Sequence, residues 1–109
     1  MGIRIKVTRN YPIPVLVLEP LAEVTEENQN DAQESLALVA GAVLSTLVDK
    51  NIPHNMMISD MGFKIYVIPR KFDLLIEDAR FFTTFSDLCG VVKCKLEQTF
   101  KEVKWEEYS

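Results

Sequence analysis

The sequence predicts an α+β domain in which a mostly antiparallel sheet carries one long helix packed on it. Three observations lead to this prediction: an alternating apolar pattern near the N-terminus, an amphipathic segment in the middle, and a hairpin signal directly after it. Strands that follow one another through short connections pair antiparallel, because parallel pairing needs a long crossover. The 109 residues suit a single domain, residues 1–109, with little room for a second core.

The N-terminal segment predicts two strands. Ile3, Ile5 and Val7 alternate with polar residues, which is typical of a strand with one solvated face. Two prolines then interrupt the pattern, and the continuous apolar run from Val15 to Leu18 predicts a second strand buried on both faces. The acidic residues between Glu19 and Glu34 predict a solvated loop and the start of a helix.

The clearest helix is predicted from about Asp31 to Lys50, with Asn30 as its N-cap and Asn51 as the left-handed residue after its end. Gly41 inside this helix costs about 1 kcal/mol relative to alanine, which predicts that the helix approaches the sheet closely there. Apolar residues recur at three- and four-residue steps and form one stripe: Ala32, Leu36, Val39, Ala40, Val43 and Leu47.

The second half begins with a predicted hairpin. Residues 54–59 and 63–68 are strand-like and flank Asp60-Met61-Gly62, with Gly62 where a left-handed residue is needed. Residues 73–88 are ambiguous between a helix and an irregular segment. Val91 to Leu96 alternates and predicts another strand, and Glu97 to Tyr108 predicts a short terminal helix.

Composition excludes several classes of function. The net charge of −4 argues against a nucleic-acid-binding module, which needs a basic face to displace counterions. One histidine and two cysteines are too few for a tetrahedral zinc site made of these residues. Cys89 and Cys94 do not have the spacing of a redox motif, so free thiols in a reducing cytoplasm are expected, with a disulfide as the alternative. Basic residues interrupt the N-terminal apolar positions, so we expect neither a signal peptide nor a membrane span.

The candidate chemical residues each have a plain structural interpretation. His54 has no Ser or Cys nucleophile beside it and is expected to be a structural or surface residue. Asp60 and Gly62 fit turn chemistry. Arg70 and Lys71 could meet a phosphate at a strand end, but a solvated strand terminus is the favoured interpretation. The residues alone therefore predict no metal, no cofactor and no self-sufficient active site.

One segment adds a resemblance. Residues 51–70, NIPHNMMISDMGFKIYVIPR, resemble the N-I-P-aromatic-N…I-S-D-x-G…P-Q segment of the GDP-hexose phosphorylases. These are the GDP-L-galactose and GDP-D-glucose phosphorylases of the histidine-triad superfamily. Residues 11–19, YPIPVLVLE, and residues 88–95, LCGVVKCK, are similar to two further family segments in the same order. The resemblance implies half of a histidine-triad-like fold and the C-terminal lobe of such a nucleotidyltransferase.

The positions at which this chain departs from the family pattern indicate which part of the family's chemistry it can supply. The nucleophilic histidine of that family lies in an H-x-H-x-Q motif that precedes the matching region and is missing here. His54 stands where the family has an aromatic residue, Val91 where it often has histidine, and Arg70 where it often has glutamine. The resemblance therefore implies a non-catalytic lobe. Its candidates for weak binding of a GDP-sugar lie in and beside the hairpin: Asn55, Ser59, Asp60 and Arg70.

Three hypotheses of function stay open at this point. The first is the non-catalytic lobe, either excised from a larger enzyme or encoded as a separate truncated protein. The second is a free-standing dimerisation or protein-interaction module. The third is a small enzyme or ligand-binding protein with unrecognised chemistry. As partner we expect either a second copy, forming a homodimer through strands, or a missing N-terminal lobe.

Overall fold

A computed structural model describes residues 2–8, 15–69, 89–94, 96–97 and 103–108. These residues form five strands and one long helix, α1, so the predicted α+β class is confirmed. Residues 89–94 and 96–97 are also helical and are called the C-terminal helical segment below. In chain order the elements are β1 (Ile3–Thr8), β2 (Val15–Pro20), α1 (Gln29–Asp49), β3 (His54–Ser59), β4 (Lys64–Pro69) and β5 (Val103–Tyr108).

The strands form one sheet in the order β3-β4-β2-β1-β5. Three of its pairings are antiparallel, and only β5 runs parallel to its neighbour β1. The mostly antiparallel sheet is therefore confirmed. β2 lies in the middle of the sheet, where both backbone edges are paired, and its residues Leu16, Val17 and Leu18 are buried as predicted.

One face of the sheet forms the hydrophobic core under α1, and we call it the core face. The six apolar residues of the predicted α1 stripe are all buried. Thr46 is buried with them, and its hydroxyl donates to the carbonyl of Ala42 at 2.9 Å. The buried strand residues of this face alternate along their strands: Ile3, Ile5, Val7, Leu16, Leu18, Ile65 and Val67.

The two ends of α1 differ from each other in how well the sequence predicts them. The helix starts two residues earlier than expected, so Asn28, not Asn30, flanks its first turn. The Asn28 side chain does not cap the helix; its Oδ1 accepts from the Thr25 amide at 2.7 Å and its Nδ2 donates to the Glu23 carbonyl at 3.0 Å. The Asn28 side chain therefore stabilises the preceding loop and does not bind the backbone amides of the first turn of α1.

The C-terminal end of α1 matches the prediction. Asn51 has a φ of 55°, as a residue in the left-handed region does. Its amide donates to the carbonyl of Val48, and the amide of Ile52 donates to that of Leu47, both at 3.0 Å. These two bonds form a Schellman motif, and Ile52 and Leu47 are both members of the core.

The hairpin between β3 and β4 is confirmed. A short 3₁₀ turn, Asp60–Gly62, joins the strands, and β4 begins one residue later than predicted. Gly62 has the expected positive φ, 96°, and Met61 also adopts the left-handed region at 60°. Two consecutive left-handed residues reverse the chain here.

Three further predictions about local structure are wrong. Gly41 faces solvent, and a Cβ there would have no atom within 4 Å, so the glycine does not serve close helix–sheet packing. Residues 91–94 and 96 belong to the C-terminal helical segment and not to a strand, because burying Cys89, Val92 and Leu96 on the core face requires a helical spacing. The terminal segment is the strand β5, because pairing with β1 satisfies its backbone and places Val103 and Trp105 against the core.

Some predictions fall outside the described residues. These are the proline-rich break at residues 11–14, the ambiguous segment 73–88 and the strand end at Arg70 and Lys71. α1 is long and apolar enough, by length and composition alone, to cross a membrane, which the sequence prediction did not anticipate. Its buried stripe packs on the sheet as the core helix of a globular domain does, and nothing in the structure places it in a membrane.

Candidate functional site

The sheet face opposite α1, called the open face below, carries most of the charged side chains of the strands. Side chains alternate along each strand, so paired positions form rows that cross the sheet. One row contains Ser59, Lys64, Glu19, Arg4 and Lys104, and the next contains Met57, Tyr66, Val17, Lys6 and Glu106. Apart from Ala32, the buried apolar residues of the described helical segments are members of the core cluster, so these segments pack on the core face and not on the open face.

Glu19 is the centre of the charged cluster on the open face. One of its carboxylate oxygens lies 2.6 Å from Lys6 Nζ and 3.3 Å from an Arg4 terminal nitrogen, and the other lies 3.7 Å from Lys64 Nζ. These cations come from the two neighbouring strands, β1 and β4. Only 15% of the Glu19 side chain is exposed, so this residue belongs to the sheet and not to the solvated loop predicted for it.

A second carboxylate extends the cluster towards the β5 edge. Glu106 Oε1 lies 3.0 Å from Lys104 Nζ and 3.6 Å from Arg4 Nε. Arg4 Nε is buried and makes no hydrogen bond within the described part of the chain. Arg4 therefore links the two carboxylates, with a hydrogen bond to Glu19 and a longer charge contact to Glu106.

The surroundings of Glu19 set its ionisation. Partial burial by itself would raise the pKa of the Glu19 carboxyl above its ordinary value of 4.5. The hydrogen bond and charge of Lys6, together with Lys64 and Arg4, outweigh the burial and hold the pKa below that value. Glu19 is thus a firmly charged anchor at neutral pH, which does not suit the role of a proton-transferring group.

The structure brings only part of the predicted binding set near this cluster. Ser59 pairs with Lys64 across the hairpin and lies at the end of the charged row. Asn55 is on the same face of β3 but four residues away, about 13 Å along the strand, so it cannot contact the same small group. Asp60 lies in the turn, but its side chain is outside the described residues, as is Arg70.

The remaining chemical candidates are apart from the cluster. His54 is half-buried at the start of β3, and its ring Nδ1 lies 3.0 Å from the carbonyl oxygen of Ile52. Cys89 is buried, Cys94 is exposed, and neither forms a disulfide, as expected. The described residues contain no group of three His, Cys, Asp or Glu side chains that could hold a metal ion.

The geometry of the open face favours binding over catalysis. Among the described residues, its cluster of linked ion pairs contains four cationic side chains and two carboxylates, in a chain whose net charge is negative. A surface of this kind attracts an anionic group. In the described part of the chain no nucleophile is paired with a general base here.

The sequence interpretation missed the Glu19 cluster because its members lie on four strands. The one local signal of the cluster is the alternation of Arg4 and Lys6 with the core residues of β1.

Comparison with known proteins identifies the family. A family model described as GDPGP1-like, C-terminal domain, matches residues 1–109, which is the whole chain. No curated protein sequence matches the chain significantly.

Solved structures show only distant likeness. The essential ribosomal processing protease Prp from S. aureus, in complex with a covalently linked product peptide, has a TM-score of 0.49 at 8% identity, covering 97% of this chain and 99% of its own. SMU.848 from Streptococcus mutans has a TM-score of 0.48 at 11% identity, with 99% and 100% covered. Likeness at this level does not bear on function. The match over the whole chain shows that this protein belongs to the GDPGP1-like C-terminal domains, the C-terminal lobe of the GDP-hexose phosphorylase family.

Proposed function

We propose that this domain is a non-catalytic C-terminal lobe of a GDP-hexose phosphorylase-like nucleotidyltransferase. The observation that carries the proposal is the position of His54, the only histidine of the chain. Its ring faces the carbonyl of Ile52 through Nδ1, and it stands where the family has an aromatic residue. A contact of this kind also orients the ring of a nucleophilic histidine, so it does not decide the role of His54. The deciding point is the sequence around it: His54 lies in Pro-His-Asn-Met-Met and not in the H-x-H-x-Q motif that carries the nucleophile of the family.

The family chemistry explains what such a lobe leaves to another part of the enzyme. A histidine attacks the α-phosphate of a GDP-hexose, the bond to the hexose phosphate breaks, and hexose 1-phosphate leaves. Inorganic phosphate then attacks the guanylylated histidine and releases GDP and the free histidine. Both steps need the nucleophile of the H-x-H-x-Q motif, which this sequence lacks.

We assign the domain a supporting role in that reaction. The sheet provides a rigid surface, and the excess of cations on the open face favours contact with the phosphates of a nucleotide sugar. Ser59 at the end of the charged row is the predicted binding residue best placed to add a hydrogen bond. The resulting affinity is expected to be weak, because the carboxylates of Glu19 and Glu106 already neutralise part of the positive charge of the cationic side chains around them.

Incubation of the pure domain with GDP-glucose or GDP-galactose and phosphate tests the proposal. We expect no release of hexose 1-phosphate above the buffer rate. A positive control is a phosphorylase that carries the H-x-H-x-Q motif, assayed under the same conditions. Release that depends on the domain and disappears in His54→Ala would overturn the non-catalytic assignment.

A second candidate function is a protein-interaction module, and the edge strand β3 favours it. Three consecutive apolar residues of this strand, Met56, Met57 and Ile58, are exposed. An edge strand with an apolar, uncharged surface is a template for pairing with another chain. A cytoplasmic location suits both candidates, since Cys89 and Cys94 form no disulfide.

A further inference from the structure

The two edges of the sheet are built differently. β5 carries three charged residues among its six, Lys104, Glu106 and Glu107. β3, at the opposite edge, contains no charged residue and no proline within His54–Ser59. Proteins protect sheet edges from pairing with other chains by placing charges, prolines or bulges there. Within the described residues, the β5 edge has such protection and the β3 edge has none.

The side chains of β3 are apolar on both faces of the sheet. Met56 and Ile58 point to the core-face side, and Met57 points to the open face. Their exposed fractions are 44%, 59% and 59%. β4 is the one strand that pairs with β3 among the described residues, so the other backbone edge of β3 has no strand neighbour there.

We propose that β3 pairs antiparallel with β3 of a second copy of this chain, with the two-fold axis passing through Met57. The two sheets then form one continuous sheet across the axis. The proposal specifies the second candidate function by naming the partner and the register. It can fail independently of the phosphorylase-lobe assignment, because its tests measure dimerisation, whereas that assignment is tested by the release of hexose 1-phosphate.

The register follows from which side chains meet. In an antiparallel pair, directly opposed residues lie on the same face of the sheet. The registers that keep the core faces of both copies on the same side of the joined sheet therefore differ from one another by shifts of two residues. With the axis at Met57, this residue faces its own copy, Met56 faces the partner's Ile58, and Asn55 faces the partner's Ser59. Apolar residues therefore oppose apolar residues and polar oppose polar. With the axis at Met56, the apolar Ile58 would instead face the partner's His54.

A second copy fits this edge because nothing charged lies along it. Two chains of net charge −4 repel each other at long range, but the pairing strands add no like-charge contact. A single strand pair with its side chains is smaller than the roughly 800 Å² per partner of a standard interface. We therefore expect a dissociation constant on the order of tens of micromolar.

Sedimentation equilibrium on the full 109-residue chain tests the dimer, with variants chosen to locate it. The wild-type protein should fit a monomer–dimer equilibrium between about 10 and 300 μM. Met57→Lys places two like charges across the two-fold axis and should weaken the dimer at least about tenfold. Leu38→Lys on α1 is the matched control, since Leu38 is also 59% exposed, and it should leave the dimer unchanged.

Disulfide formation tests the register separately, in a Cys94→Ser background that removes the exposed thiol. Directly opposed residues have Cα atoms about 4.5–5.5 Å apart, within the range that a disulfide spans. Met57→Cys should therefore give a cross-linked dimer on mild oxidation. Asn55→Cys, on the same face, would lie about 13 Å from its own copy and should not.

Each result decides the proposal. A single 12.5 kDa species at ~300 μM overturns the dimer. A dimer that Met57→Lys leaves intact, or that Leu38→Lys weakens equally, overturns the β3 site. Equal cross-linking of Met57→Cys and Asn55→Cys overturns the register. Circular dichroism spectra of Met57→Lys and Leu38→Lys that match the wild type confirm that loss of the dimer is not loss of the fold.

Discussion

The two faces of one sheet use the same strands for different purposes. On the core face Ile5, Leu18 and Val67 are fully buried under α1 and the C-terminal helical segment. On the open face, the residues between them build a cluster of ion pairs around Glu19. The alternation of side chains along a strand thus separates an apolar region from an ionic region by the thickness of the sheet.

The difference shows where the stability of the domain comes from. Burying a Leu, Ile or Val side chain stabilises a fold by about 1.5–3 kcal/mol. An ion pair that is still partly open to water contributes about 0–1 kcal/mol. The core face therefore carries most of the stability of the fold, and the ion pairs of the open face add little to it. The following variants test that division.

The largest effect is expected for Leu18→Ala. Leu18 is fully buried in the central strand β2, so the variant leaves a cavity that its paired neighbours cannot fill. We expect a loss of about 2–5 kcal/mol in the free energy of unfolding, measured by urea denaturation. Leu38→Ala on the exposed side of α1 is the control and should change it by less than about 0.5 kcal/mol. Similar losses for both variants would contradict the assignment of the core face.

A matched pair compares the two faces directly. Val67→Thr places a hydroxyl in the dry core, where it has no water to bind, and should cost about 1–3 kcal/mol. Val17→Thr makes the same change on the open face, where Val17 is also buried but is paired with Lys6 and Tyr66, whose polar groups can bind a hydroxyl. It should cost less than about 1 kcal/mol. Urea denaturation of both variants checks the difference, and an equal cost would mean that the open face is as dry as the core.

The smallest effect is expected for Glu19→Gln at neutral pH. The variant leaves Lys6, Arg4 and Lys64 close together without their shared anion, which should cost about 1 kcal/mol. Glu26→Gln, in the exposed loop before α1, is the control and should be neutral.

The stability difference between the wild type and Glu19→Gln is expected to depend on pH. Because the pKa of Glu19 is lower in the folded protein than its ordinary 4.5, its contribution to stability is present above that pH. The contribution is lost as the pH falls through the folded pKa, where the carboxyl binds a proton. The stability difference between wild type and Glu19→Gln should therefore shrink as urea titrations move from pH 7 towards pH 3. A constant difference over this range would show that the charge of Glu19 is not what stabilises the cluster.

Elements with a strong local pattern were predictable. The apolar stripe of α1, the left-handed Asn51 at its end and the turn at Gly62 depend on residues close in sequence. The position of His54 at the start of β3 was also predictable, because Pro53 ends the preceding turn and the hairpin signal follows. In each case, a few neighbouring residues determine the backbone, so no distant contact is needed.

The failures lie where a distant contact decides. Val91 and Val92 are β-branched and favour a strand, but residues 89–94 are helical because that geometry buries Cys89, Val92 and Leu96 together. Val103 and Trp105 alternate weakly among charges, and their strand exists through parallel pairing with β1, nearly a whole chain length away. No pattern within a few residues of β5 could indicate pairing with a strand as distant in sequence as β1.

Four features could be read from the amino-acid sequence without the structure: the fold class, the order of the first elements, the capping of α1 at its C-terminus and the absence of a second histidine. The tertiary structure alone decided which strands lie at the edges and which charges meet around Glu19. The reason is physical: local backbone preferences act over a few residues. The Glu19 cluster and the exposed β3 edge arise only when strands far apart in sequence take their places in one sheet.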